Sequence, residues 1–426
     1  MKRYSEYKDS GVKWIGEIPG HWKITTLKRH CKVNTGGTPS MSESRFYESP
    51  TISWFTPGDL SENLKLSDST RKLSKTVIKE GVCKLFPINT VYFVGIGATV
   101  GKVGYSEHSA YCNQQINALI PYDINYKYLT YYLVFCKPEI VRIASASTLP
   151  IINQSKTGNI PLIELSHPEQ EAIVTYLDTK VAKIDEYISI AEKKIAALEE
   201  LKQTIIAEAV TRGIHKDVPM KDSGVKWIGM IPEYWKIRKM KFVFKERSEK
   251  GYPNEPILSA TQSNGVIPQS MYENRVVVVN KGFENLKLVC KGDFVISLRS
   301  FQGGIEYAYY RGIISAAYTI LTKSTGFLNE DYIKYLFKSH PFVQLLKTCV
   351  TGIREGQNIN YSLLRDKYIP IPPLPEQQEI VTYIEAKVAN INQLCQAERS
   401  QIEKLKEYKQ RLISDVVTGK VKVTND

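Results

Sequence analysis

The stretch Phe93–Gly104, FVGIGATVGKVG, has the composition of a phosphate cradle, with glycines that let backbone N–H groups approach an anion and a lysine after them. The spacing rejects that chemistry. A phosphate loop needs four residues between its glycines and a Ser or Thr after the lysine. Here Gly97 and Gly101 enclose three, Gly95 and Gly101 enclose five, and Val103 follows Lys102. The dinucleotide pattern GxGxxG also fails, because Val100 stands where its third glycine should be. What remains is a glycine-rich strand and turn lining a binding groove. No GxSxG or HExxH occurs, and neither does an Asp-Pro-Pro-Tyr or Asn-Pro-Pro-Tyr tetrapeptide of the amino-methyltransferase kind. The seven cysteines (Cys31, Cys83, Cys112, Cys136, Cys290, Cys349, Cys395) form no CxxC pair and lie far from the six histidines, so neither a zinc site nor a disulfide frame is supported. The expectation is a chain with no catalysis, metal or cofactor of its own.

Binding is better provided for. A formal charge of +13 and a pI near 9.1 favour a polyanionic partner. Many of the 26 tyrosines are interleaved with cations, as in YDINYKYLTYYLVFCK (122–137), where flat amphipathic rings suit bases and phosphates. The N-terminus MKRYSEYKDS carries no apolar signal segment, and no apolar run approaches the roughly 20 residues of a membrane span, which points to a cytoplasmic protein.

The elements that must position these residues are written twice. KDSGVKWIGEIPGHWKI (Lys8–Ile24) returns as KDSGVKWIGMIPEYWKI (Lys221–Ile237), 14 of 17 positions identical at a shift of 213. PEQEAIVTYLDTKVAKI (Pro168–Ile184) returns as PEQQEIVTYIEAKVANI (Pro375–Ile391), 11 of 17 identical at a shift of 207. This period is far longer than the roughly 20–50 residues of a solenoid repeat. The stretches between the copies show no comparable likeness, so two copies of one frame carry two different inserts. Each first segment is dense in Gly, Pro and Trp and reads as a turn-rich connector whose Trp14, Trp22, Trp227 and Trp235 are packing anchors.

After Pro168, apolar or small residues recur at Ile184, Ile188, Ala191, Ile195, Leu198, Ile205 and Ala209, interrupted at Lys202. The second copy places Ile391, Cys395, Ile402, Leu405, Leu412 and Val416 likewise, with Glu398 and Lys409 as polar exceptions. These are heptad seams of matched register, broken at the same lysine, and they predict two helices that pair with each other. Pro168-Glu169-Gln170 and Pro375-Glu376-Gln377 start the helices, and Thr211-Arg212-Gly213 and Thr418-Gly419 stop them. Pro372-Pro373-Leu374 stands where the first copy has Leu165-Ser166-His167, which predicts different entry angles.

The inserts read as α+β without a doubly wound sheet. The first has strands in TISWFTPGDL (51–60) and TVYFVGIGATVGKVGY (90–105), then a helical run near 126–143. The second has NRVVVVN (274–280), GDFVISLRS (292–300), GIISAAYTIL (312–321) and a helical run DYIKYLFKSHPFVQLL (331–346). The division is therefore a connector at 1–24, a first insert at 25–165, a central helix and connector at 166–239, a second insert at 240–372 and a C-terminal helix at 373–426.

In this order and double occurrence, the SGVKWIG-IP-W segment, the PEQ-IVTY helix start and the two dissimilar inserts resemble the specificity subunit of type I restriction-modification systems, over essentially the whole chain. The resemblance implies two globular target-recognition domains joined by long antiparallel coiled-coil helices with pseudo-twofold duplication, each domain reading half of a bipartite double-stranded DNA site. It implies partner methylation subunits, two of them, that bind S-adenosylmethionine and methylate adenine, docked on the helical frame at Pro168, Glu169, Gln170, Tyr176, Pro375, Glu376, Gln377 and Tyr383. It also implies restriction and motor subunits using ATP and Mg. Patches resembling those of the family's recognition domains are Thr35–Pro39 with Thr38, Gly101-Lys102, Asn113-Gln114-Gln115, Ser259–Thr261, Leu298–Gly304 with Ser300, and Gly352–Gln357. By side-chain chemistry, Arg45, Lys102, Arg299 and Arg354 suit guanine or phosphate, and Asn113, Gln114, Gln115, Gln302, Gln357 and Asn358 suit adenine edges or backbone. Rival readings are a coiled-coil scaffold joining two proteins, and a stand-alone methyltransferase or nuclease that the missing motifs disfavour.

A ruler made of paired helices has a measurable consequence. Inserting four residues near Ala197 lengthens one arm by roughly 6 Å, close to two base-pair steps of about 3.4 Å. Methylation of substrates whose spacer varies one base pair at a time should show the optimum growing by about one or two base pairs, both half-sites unchanged. An unmoved optimum in a folded, active variant would refute the ruler.

Overall fold

The computed structural model describes residues 2–145, 150–272, 282–324, 326–351 and 358–424. Both seams form long helices, His167–Arg212 and Leu374–Val417, which begin at matched positions despite the different residues before them. The chain makes two compact units, residues 1–191 with 400–426 and residues 192–399, so each unit owns half of each long helix. The five segments drawn from the repeat are thus regrouped, with helix halves packed into the cores of the inserts. No helix among the described residues is long and apolar enough to cross a membrane.

In the first unit the connector is a β-hairpin, more regular than a string of turns, with β1 (Tyr7–Asp9) antiparallel to β2 (Glu17–Pro19). After β3 (Lys23–Thr26), the insert supplies β4 (Cys31–Thr35), β5 (Ile52–Phe55), β6 (Lys72–Leu73), β7 (Thr90–Val94), β8 (Val103–Ser106), β9 (Tyr111–Cys112) and β10 (Ile116–Pro121). Finally β11 (Pro161–Glu164) returns to pair with β3 and closes the insert at its base. Four strands make one antiparallel sheet in the order β4-β10-β7-β8. All of β7 is buried because both faces of the sheet are covered. Val91 and Phe93 face the core that holds helix Tyr126–Ala144, while Tyr92 and Val94 join Phe55, Phe86 and Cys112.

The second unit repeats this plan with β12 (Met220–Asp222), β13 (Met230–Pro232), β14 (Lys236–Lys239), β15 (Phe244–Arg247), β16 (Leu258–Thr261), β17 (Gly265–Pro268), β18 (Lys287–Val289), β19 (Phe294–Ile296), β20 (Glu306–Tyr307), β21 (Gly312–Ile314), β22 (Thr319–Lys323), β23 (Val350–Thr351), β24 (Asn358–Ile359) and β25 (Tyr368–Ile371). The hairpin β12-β13 and the closing pair β14-β25 recur, and the sheet order β15-β22-β19-β20 matches the first. Two inserts without sequence likeness therefore share the order of their four-stranded sheet, while their further strands differ: β6-β5-β9 in the first, with β5 and β9 parallel, and the pairs β16-β17, β18-β21 and β23-β24 in the second. Two expectations are corrected here. GIISAAYTIL is two strands, β21 and β22, and the helical run 331–346 is two helices, Glu330–Lys338 and His340–Lys347, because Pro341 has no N–H to continue the first. The expected strand at 274–280 lies outside the described residues.

Each frame is locked by one tryptophan. Trp22, 1% exposed, donates its indole N–H to Glu169 Oε1 (2.8 Å), and Trp235, also 1% exposed, donates to Glu376 Oε2 (2.9 Å). The indole ties the connector to the start of one long helix and covers the end of the other. Gly213 and Gly419 end the helices at φ +79° and +72°, where a Cβ would lie 3.1 Å from the Trp235 ring and 2.8 Å from the Trp22 ring. The neighbouring glutamine ties the helix to the insert. Gln170 Oε1 accepts from Asn125 N (2.8 Å) and Gln377 Oε1 from Asn329 N (2.8 Å), and each asparagine caps the insert's helix.

The seams pair within each unit. In the second unit Lys194 meets Glu398 (2.5 Å) and Lys202 meets Asn392 (3.3 Å), an antiparallel order. In the first, Lys409, 9% exposed, reaches both oxygens of Asp185 (2.7 and 2.9 Å). Lys202 and Lys409 are equivalent in the repeat, as are Asp185 and Asn392, so the lysine that breaks each seam meets the same partner position in both units.

The two clamps differ in their support. Burial disfavours charge on Glu169, yet bonds from Trp22, His21 and Ser166 outweigh it and hold the carboxyl below its ordinary value. Among the described residues Glu376 accepts otherwise only from Tyr234 (3.2 Å). Trp235→Phe should therefore cost about 2–4 kcal/mol, through lost packing and a carboxylate left short of donors, and Trp22→Phe should cost less. Chemical denaturation of both variants measures the order. Equal losses, or a larger one at Trp22, would contradict it.

Candidate nucleic-acid interface

The common topology puts two sequence-predicted patches in the same connection. The β7-β8 loop carries Gly101-Lys102, and the β19-β20 loop carries Leu298–Gly304. Each loop ends on a glycine pressed against the insert's helix. Gly101 (φ +87°) would place a Cβ 2.9 Å from Lys137 Cγ, and Gly304 (φ +88°) 2.3 Å from Phe337 O. The glycines of FVGIGATVGKVG thus serve close packing of a sheet-edge turn. In the second unit Lys338 secures the loop by donating to Gly303 O (3.0 Å), Gln262 O (3.3 Å) and Glu306 Oε1 (2.5 Å), while burial raises the Glu306 carboxyl above its ordinary value.

The predicted site residues divide by what their polar atoms already hold. In the first unit Thr38 donates to Gln114 Oε1, and Asn113 bonds both the backbone N–H (3.1 Å) and the side chain (3.0 Å) of Gln115. Asn113 is buried as a turn-former, whereas Gln114 stays exposed. Lys102 is half-buried in the β7-β8 loop. Arg45 lies apart on the short helix Ser44–Phe46, where Glu43 and Glu80 (3.1 Å) already engage its guanidinium. In the second unit Thr261 is buried and donates to Gly265 O (2.9 Å), and Ser300 is buried and accepts from Ser297 N (2.8 Å). Arg299 and Gln302 are exposed at the loop's tip. Asn358 is half-buried in β24, and Arg354 and Gln357 lie outside the described residues.

Sequence reading missed Asn153, Gln154 and Ser155. They line a cleft in the first unit with Thr35, Ile96 and Gln114. A signal was present. Ile152-Asn153-x-Ser155 recurs as Ile359-Asn360-x-Ser362 at the frame's own shift of 207, and Asn153 and Asn360 each cap a short helix.

Of the eight residues expected at the partner interface, Pro168, Pro375 and Tyr383 are exposed and Tyr176 is half-buried. Glu169, Gln170, Glu376 and Gln377 bond internally, and the last three are buried. Among the described residues no group of three or more His, Cys, Asp or Glu could hold a metal ion.

Residues 19–200 and 226–404 match the model of the type I restriction modification DNA specificity domain. The chain belongs to this family. It is similar to the putative type I restriction enzyme MjaX specificity subunit of Methanocaldococcus jannaschii, 23% identical over 98% of both chains. To the EcoR124I/EcoR124II specificity subunit of Escherichia coli it is 28% identical, over 42% of this chain and 44% of the relative. Its fold is similar to the HsdS subunit from Thermoanaerobacter tengcongensis, with a TM-score of 0.50 and 16% identity over 95% of this chain and 98% of that one. It is also similar to a chain from a structure addressing complex assembly and conformational transition of the type I R-M system, with a TM-score of 0.66 and 14% identity over 94% and 98%. The specificity subunit is a non-catalytic DNA-recognition chain, and the match favours that role over a protein scaffold.

Exposure distinguishes Arg299 from its buried neighbour Ser300. Arg299→Ala should cost about 1–3 kcal/mol in specific DNA binding with an unchanged melting temperature. Ser300→Ala should instead lower stability by about 1 kcal/mol, because it strands the Ser297 N–H. Parallel binding and melting measurements test both, and a melting shift in Arg299→Ala would place that residue among the supports.

Proposed function

We propose that each unit of this specificity subunit reads one half of a bipartite duplex target, the first through insert 25–165 and the second through insert 240–372. The observation that carries this reading is a duplicated frame bearing two inserts whose four-stranded sheets have one strand order and whose equivalent loops present different side chains. One frame geometry with two loop chemistries suits a target of two unlike halves. Partner methylation subunits would bind S-adenosylmethionine and modify adenine, and restriction subunits would use ATP and Mg. The exposed Pro168, Pro375 and Tyr383, with Tyr176, are the docking residues we favour, while the internally bonded glutamate and glutamine of each motif hold the frame. A cytoplasmic location is consistent with this role.

Exchanging residues 25–165 for the matching part of a relative tests the scheme. Half of the methylated motif should change while the other half and the spacer stay. Loss of both halves together would mean that the units read DNA jointly.

A further inference from the structure

The cleft in the first unit contains a side chain whose hydrogen-bonding direction is dictated from the core. Asn117, 3% exposed on β10, donates from Nδ2 to Ile152 O (3.1 Å) and Thr157 Oγ1 (3.0 Å). A backbone carbonyl can only accept, so this amide cannot be reversed. Its Oδ1 must accept, and Thr35 Oγ1 is the donor at 2.9 Å. A hydroxyl has one proton, and that of Thr35 is committed. Towards Gln154 it can therefore only accept, and Gln154 Nε2 lies 2.9 Å away. The backbone also yields to this relay. Gly95 passes so close that a Cβ there would sit 2.6 Å from Ile152 O and 2.8 Å from Asn117 Nδ2.

At the outer end Gln154 is exposed and lines the cleft. Its Oε1 and second Nε2 hydrogen have no partner among the described residues. An amide that offers one acceptor and one donor in a set direction complements adenine, whose major-groove edge carries the N6 amino donor beside the N7 acceptor. Guanine presents two acceptors there, O6 and N7, and would oppose the carbonyl. Ile96 and Ile151, the latter 38% exposed, line the same cleft and suit the methyl group of the paired thymine.

We propose that Gln154 reads an adenine of the first half-site in the major groove, with Thr35 and Asn117 as the positioning residues that hold its amide in the adenine-reading sense. This rests on the reading that insert 25–165 recognises half of the target.

The test uses the assembled methylation complex and a panel of duplexes in which every base pair of both half-sites is changed in turn. Gln154→Ala should abolish a preference of about tenfold or more at one A·T pair, with the rest of the profile and the melting temperature unchanged. Gln154→Glu keeps the acceptor and loses the donor, so preference at that pair should move towards cytosine, whose N4 amino group donates. Thr35→Val frees the amide to turn and should weaken discrimination at the same pair, and Thr35→Ser, which keeps the hydroxyl, should restore it. A loss spread evenly over all positions would make Gln154 a phosphate contact and overturn the proposal, as would an unchanged profile. Failure of the half-site reading is seen separately, when exchange of the whole insert leaves the first half of the motif unaltered.

Discussion

One hydrogen bond made twice, from a buried indole to the glutamate in the first turn of a long helix, is the constraint on which each unit depends. Trp22 with Glu169 and Trp235 with Glu376 fix the connector hairpin against that helix, and each ring also covers the glycine that ends the other helix. Hairpin, helix start and helix end are thereby referred to a single point. The adjoining Gln170 and Gln377 carry the constraint into the insert through the caps Asn125 and Asn329. An insert can then vary its loops without disturbing its base, because none of these anchoring residues lies in the β7-β8 or β19-β20 loop.

The frame was legible in the sequence because it is written twice. The connector, the PEQ motif and the seams with their shared lysine took up equivalent positions in both units, even though Pro373 replaces Ser166 before the second helix. The shared topology of the inserts was not legible. Strand order follows from which backbone edges pair, and segments as unlike as FVGIGATVGKVG and ISLRSFQGG can fill one connection. Site residues were legible by type and not by role. Asn113, Thr261 and Ser300 have the chemistry of base readers, but short-range bonds to nearby backbone consume their polar groups. Gln154 escaped notice because its direction is set by Asn117, 37 positions earlier and recognisable only once β10 packs beside the 150–157 segment.

The lysine pairs in the seams show how a polar break can help order a coiled coil. Lys409 is largely buried and meets the carboxylate of Asp185, whereas Lys202 meets a neutral amide at the equivalent place and has its charge answered by Glu199 in its own helix. Removing the Asp185 carboxylate would leave this desolvated ammonium of Lys409 uncompensated, which makes the pair of the first unit the costlier one to break.

The first unit is also interrupted in sequence, since residues 1–191 are completed by 400–426, while the second unit is one unbroken stretch. Trp22 packs against Gly419, Lys2 O accepts from Lys422 N, and the core around Val181 and Ile184 includes Leu412, Ile413, Val416 and Val417. On the ribosome, which adds roughly 5–20 residues per second, the amino-terminal segment must wait about ten to forty-five seconds for these partners to be synthesised. The second unit can close as soon as its own last residue emerges. The part of the protein made first is therefore finished last, and its unfilled core is the surface that a nascent-chain chaperone would meet.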